Sequence, residues 1–211
     1  MKESQLLSIL LERPDEYVGQ LSLRRISIFF DGYRTAVETD PDPILSGYNK
    51  WLQCRLRITQ DRHWVAIICF YGQGERDTLD LAREMWVSYL KETSNMPPET
   101  NLELRSTFPQ KEKPSDMVNY IFRRPAMYLG YPRIEFMQSF MDGFTYAKGD
   151  EQPELNDRLY YGFRDWLARR FGFGQSHDWG SIISFVGGHE EKSFKLAKEL
   201  WQEYLSKDRL S

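Results

Sequence analysis

Trp64-Val65-Ala66-Ile67-Ile68-Cys69-Phe70-Tyr71 and Trp179-Gly180-Ser181-Ile182-Ile183-Ser184-Phe185-Val186 decide the fold class. The first stretch alone reads as a buried strand, because Val65 to Phe70 is continuously apolar. The second removes the ambiguity. Trp179, Ile182, Ile183 and Val186 fall at i, i+3, i+4 and i+7, with Gly180 and Ser181 between them, which is one stripe of a helix. Ser176 or Asp178 supplies an N-cap and Gly187-Gly188 a terminator. The two stretches correspond position by position, so the first is read as a helix too. The expected fold class is all-α, with a short strand near 64–70 and 179–185 as the alternative.

That correspondence runs along the whole chain. At an offset of 111, Arg13-Pro14 meets Arg124-Pro125, Tyr17 meets Tyr128, Gly19 meets Gly130, Phe29 meets Phe140 and Asp31-Gly32 meets Asp142-Gly143. A four-residue insertion near Gly149–Glu154 moves the offset to 115. Beyond it Gly47 meets Gly162, Trp51-Leu52 meets Trp166-Leu167, Trp64 meets Trp179, Phe70 meets Phe185 and Trp86 meets Trp201. All six tryptophans pair, three in each half. The sequence therefore reads as a tandem duplication of a four- to five-helix unit, pseudo-twofold in character. Residues 1–92 form the first repeat and 116–207 the second. Between them, 93–115 carries Pro97, Pro98, Pro109 and Pro114 among polar residues and reads as a linker.

Within each repeat the apolar period predicts helices over Ser4–Glu12 and Ser115–Arg123, with Ser4 and Ser115 as caps. Pro14 and Pro125 then stop the helix, because the residue before a proline is pushed out of the helical region. Further helices are expected over Leu21–Glu38 and Pro132–Lys148, Ile44–Arg57 and Asn156–Phe171, and Glu75–Lys91 and Glu190–Lys207.

Composition narrows the function classes. The net charge is −3, with 13 Lys+Arg against 16 Asp+Glu in residues 1–110 and balance thereafter, so a nucleic-acid partner is not expected. No apolar run is long enough to span a bilayer, and Met1-Lys2-Glu3-Ser4 does not open a signal peptide, so a cytosolic protein with no membrane contact is expected. Cys54 and Cys69 correspond to Arg169 and Ser184, which argues against a disulfide framework.

The sharpest motif is Arg-Pro-x-x-Tyr-x-Gly, present as Arg13–Gly19 and Arg124–Gly130. Proline ends one helix, glycine permits the bend before the next, and the tyrosine is read as a plug between them. Mid-helix glycine costs about 1 kcal/mol against alanine, so Gly32 and Gly143 imply close approach of another backbone. Asp31 and Asp142 could clamp Arg13 and Arg124 through a carboxylate–guanidinium pair. The competing reading makes Arg13, Tyr17, Asp31, Arg124, Tyr128 and Asp142 a ligand-binding set. His63, His177 and His189 have no histidine counterparts, and no ligand spacing for a metal, nucleophilic triad or phosphate loop occurs in the sequence. His177-Asp178 reads as a helix cap in preference to an acid–base pair. Arg24-Arg25, Arg123-Arg124 and Arg169-Arg170 read as solvated or ion-paired. No catalytic residue, metal or cofactor is expected.

The second heptapeptide, Arg124-Pro125-Ala126-Met127-Tyr128-Leu129-Gly130, resembles a segment of the ATPase domains of type II topoisomerases such as gyrase B. That family also uses a Glu…Asp-Asn magnesium helix, an Asp-x-Gly-x-Gly adenine turn and a glycine-rich lid, and the sequence contains none of them. The resemblance is thus read as shared turn chemistry. The wider pattern of this segment, Phe-x-x-Gly and Trp-Leu resembles small bacterial proteins, some of which are immunity proteins that neutralise a toxin. The first repeat departs from it at Asp15-Glu16. The resemblance implies a non-catalytic protein-binding module with a protein partner. The rival expectation is a small-molecule or nucleotide-binding regulator using a cleft between the repeats.

Overall fold

The structure is a computed structural model and describes residues 2–37, 42–93, 113–149, 157–174 and 176–208. The expected linker falls almost wholly outside the described residues. Twelve helices and no strand occur among the described residues, so the fold is all-α and the strand alternative is set aside.

The helices are α1 (Glu3–Glu12), α2 (Pro14–Val18), α3 (Leu23–Ala36), α4 (Pro43–Arg55), α5 (Trp64–Tyr71) and α6 (Glu75–Thr93). They are followed by α7 (Pro114–Arg123), α8 (Pro125–Leu129), α9 (Ile134–Lys148), α10 (Arg158–Phe171), α11 (Trp179–Gly187) and α12 (Glu190–Asp208). The chain divides into two compact units, 1–30 with 38–108, and 31–37 with 109–211. The last turns of α3 thus belong to the second unit.

In the first unit, α1 buries Leu6, Leu7, Leu10 and Leu11 against α4 and α6. Burying each such leucine stabilises the fold by about 1.5–3 kcal/mol. Around them sits an aromatic cluster centred on Tyr48. Its ring lies edge-on to Trp86 at 4.9 Å, near Tyr89 at 5.2 Å and stacked on Trp51 at 6.1 Å. In the second unit the cluster centres on Phe163, edge-on to Trp201 at 5.0 Å, near Tyr204 at 5.5 Å and stacked on Trp166 at 6.0 Å. Each central indole is tied to the first helix of its unit. Trp86 donates to Ser8 Oγ at 2.8 Å and Trp201 to Asn119 Oδ1 at 2.9 Å.

Pro14 and Pro125 stop the helices before them: α1 and α7 end at Glu12 and Arg123, and Arg13 and Arg124 leave the helical region. The same prolines open the five-residue helices α2 and α8 at the first helical position. There the missing N–H costs nothing, because a first-turn N–H has no partner within the helix. Two local expectations are corrected. Ser4 and Ser115 are not caps; Lys2 and Lys113 precede the helices, and both serines lie inside the first turn. Val186 ends the predicted apolar stripe, yet it is 37% exposed because α11 is about to terminate.

Other expectations are met. Asp178 caps α11, accepting from the Ser181 N–H and hydroxyl, both at 2.7 Å. Gly19 and Gly130 both take φ of 68°, the left-handed region that favours glycine. Tyr17 packs edge-on to Phe29 at 6.0 Å, and Tyr128 edge-on to Phe140 at 5.8 Å, each ring filling the corner between its helices. A Cβ built on Gly32 would run into the Phe140 carbonyl group, the close backbone approach that its mid-helix position implies. Cys54 and Cys69 are free thiols.

Candidate functional site

The six residues singled out in the sequence do not assemble into one constellation. Tyr17 and Tyr128 are half-buried packing residues. Arg13 is exposed and turns to Glu16, one turn along α2, at 3.8 Å. Arg124 is exposed and its guanidinium pairs with no described carboxylate. Asp142 accepts from Gln138 Nε2 at 2.6 Å. The Arg–Asp clamp is therefore corrected: a local i,i+3 partner captures Arg13, and a one-turn glutamine holds Asp142. The Asp31 side chain keeps access to solvent, but the protein gathered around it disfavours charge. That desolvation pushes its carboxyl up to about 6, against the pull of Arg34.

The long-range aspartates that organise each unit are different ones. Asp42 Oδ1 accepts the Ile44 N–H at 3.0 Å and caps α4, while Oδ2 accepts the Ser4 N–H at 2.9 Å. Asp157 repeats both contacts, accepting from Tyr160 N at 3.1 Å and Ser115 N at 2.5 Å. One carboxylate thus ties two helix starts together and answers two N–H groups that a helix cannot satisfy internally. Burial of Asp42 works against its charge. The hydrogen bonds from Ser4 and Ile44, with Lys2 nearby, outweigh that and hold its carboxyl below the usual range.

The second unit carries a buried side-chain amide that has no counterpart in the first. Gln138 bridges Asp142 and the Gly180 N–H, which donates to its Oε1 at 3.1 Å. Ser27 and Leu45 occupy the positions that Gln138 and Tyr160 fill in the second unit. The serine is too short to span two partners as the glutamine does, and the leucine is apolar. Burial, with the charge of Asp142 adding to it, pushes the Tyr160 phenol well above its ordinary range. The Trp179 indole N–H is buried beside that phenol and partly offsets the rise. No group of His, Cys, Asp and Glu able to hold a metal occurs among the described residues.

The surface holds a recurring feature. Phe70 is 82% exposed at the end of α5, and Phe185, its counterpart on α11, is 77% exposed. Among the described residues each ring has one aromatic companion. Tyr71 stands edge-on to Phe70 at 5.3 Å, and Phe173 edge-on to Phe185 at 5.5 Å. Both phenylalanines lie off the buried stripe of their helices, which is the signal the sequence offered for their exposure. These rings stand largely outside the core, so each is a candidate interaction site of its own unit. No helix among the described residues is long and apolar enough to cross a membrane.

Comparison of the chain with protein-family models, curated proteins and solved structures finds no match.

Proposed function

We propose that the chain is a tandem duplication acting as a non-catalytic protein-binding module, each unit presenting one exposed phenylalanine to a protein partner. The observation that carries this reading is the matched exposure of Phe70 and Phe185. An isolated surface phenylalanine needs no explanation. The same residue held out of the core at the same place in two otherwise diverged units does. Aromatic anchors entering a partner's pockets supply much of the binding energy at protein interfaces. In the form that the bacterial resemblance implies, the partner is a toxin and the module its immunity protein.

The test is a pair of substitutions, Phe70→Ser and Phe185→Ser, assayed against the protein that co-purifies stoichiometrically from the source organism. Each single variant is expected to weaken the complex at least tenfold, and the double variant to abolish it, with the fold intact. Unchanged affinity in the double variant overturns the reading. Retention of a small molecule in place of a protein would transfer the proposal to the ligand-binding alternative. For the immunity form, the module must also suppress its partner's toxicity.

A further inference from the structure

The two helix–Pro–helix–Gly corners have opposite surface chemistry. In the first unit the corner carries Glu12, Asp15 and Glu16, all exposed, with Arg13 answered by Glu16. Leu21 stands 43% exposed just beyond Gly19. In the second unit the same positions read Arg123, Ala126 and Met127, with Tyr131 in place of Gln20. Met127 has replaced the acid that pairs the first arginine, so neither Arg123 nor Arg124 has a carboxylate partner among the described residues. Met127 is 56% exposed and Tyr131 69%.

We infer that the corner of the second unit docks onto the corner of the first unit in another copy of this chain. The charges are complementary: two unanswered guanidiniums face three exposed carboxylates, of which only Glu16 pairs with Arg13. Each face also has apolar surface to bury, Met127 and Tyr131 on one side and Leu21 on the other. Complementary charge sets register and speeds encounter more than it adds affinity, so the contact is weak and salt-sensitive. The two faces differ, so the contact is heterologous; copies close into a ring or run on as a filament, according to the rotation between them. This surface is separate from Phe70 and Phe185, and the inference does not depend on them.

Sedimentation velocity of the full chain over a concentration series tests it, at about 50 mM and about 500 mM salt. The expected result is a sedimentation coefficient that rises with concentration at low salt and returns to the monomer value at high salt. Arg124→Glu and Asp15→Lys are each expected to remove the rise. Mixing the two variants restores it, because each then offers the other one native and one reversed pair. That rescue separates loss of docking from loss of fold, and Phe70→Ser with Phe185→Ser leaves the rise unchanged. A chain that stays monomeric at low salt overturns the inference and leaves the basic corner to an acidic protein of another kind. Association that survives both charge reversals overturns it as well.

Discussion

Asp42 accepts the backbone N–H of Ser4 at 2.9 Å across 38 residues of sequence, and the carboxylate that makes this bond also caps the helix it precedes. Removing it leaves the buried Ser4 N–H without a partner and α4 without a cap. Asp42→Ala should therefore lower unfolding stability by about 2–3 kcal/mol, the sum of an orphaned N–H and a lost cap. Asp157→Ala should act alike through Ser115 and Tyr160. Urea unfolding checks both; a loss below about 0.5 kcal/mol for either would show that the bridge is incidental.

The same bond sets a pH dependence. The Asp42 carboxyl is held below its ordinary value of 3.8 in the folded state. A carboxyl with a depressed folded pKa contributes stability that is fully present above the unfolded value and is lost as pH falls through the folded one. Stability should thus fall below about pH 4, and Asp42→Asn should flatten that limb while leaving its shape at neutral pH unchanged. Asp31 acts in the opposite sense. Its carboxyl is raised to about 6, so its contribution falls as pH climbs from about 4 to 6, and Asp31→Asn removes that slope. Chemical unfolding at stepped pH reads both limbs.

Tyr48 is fully buried, and its hydroxyl has no hydrogen-bond partner among the described residues. The second unit places Phe163 at the matching point and keeps the same ring contacts. Tyr48→Phe should therefore stabilise the protein by about 1 kcal/mol, since a buried hydroxyl is relieved of its desolvation. A destabilisation of that size would reveal an acceptor that the ring geometry does not disclose.

Two kinds of glycine should respond differently to alanine. A Cβ on Gly72 would sit 2.7 Å from Thr78 Cα, and one on Gly187 the same distance from Ser193 Cα. These are backbone clashes at the entry to α6 and α12, so each substitution should cost about 3 kcal/mol. Gly19 and Gly130 have open space around the added methyl and differ only in their left-handed backbone. Alanine there should cost about 1 kcal/mol. Thermal unfolding of the four variants should sort them into these two pairs.

The helices were legible where a matching stretch of sequence supplied the period. Trp179, Ile182 and Ile183 settled α11, and through it α5, which alone read as a strand. Local rules failed where distant residues compete. Ser4 has the chemistry of a cap, but Asp42 reaches its N–H from 38 positions away, a pairing no local pattern encodes. Pro14 is legible as the stop of α1, whereas its second role as the start of α2 depends on the turn that follows it. Residue type alone suggests Asp31 as the partner of Arg13, whereas the arginine turns to Glu16, three residues along. Phe70 and Phe185 paired in the alignment, but exposure follows from how α5 and α11 lie on their neighbours, which periodicity only hints at.

Photo-crosslinking tests the central claim most directly. Benzoylphenylalanine replaces Phe70 or Phe185 in the full chain, with the same probe at exposed Arg24 and Lys195 as references. Expressed in the source organism, the chain should crosslink to one protein from both phenylalanine positions and not from the references. No crosslink at positions 70 and 185, or equal crosslinking from all four, would contradict the account.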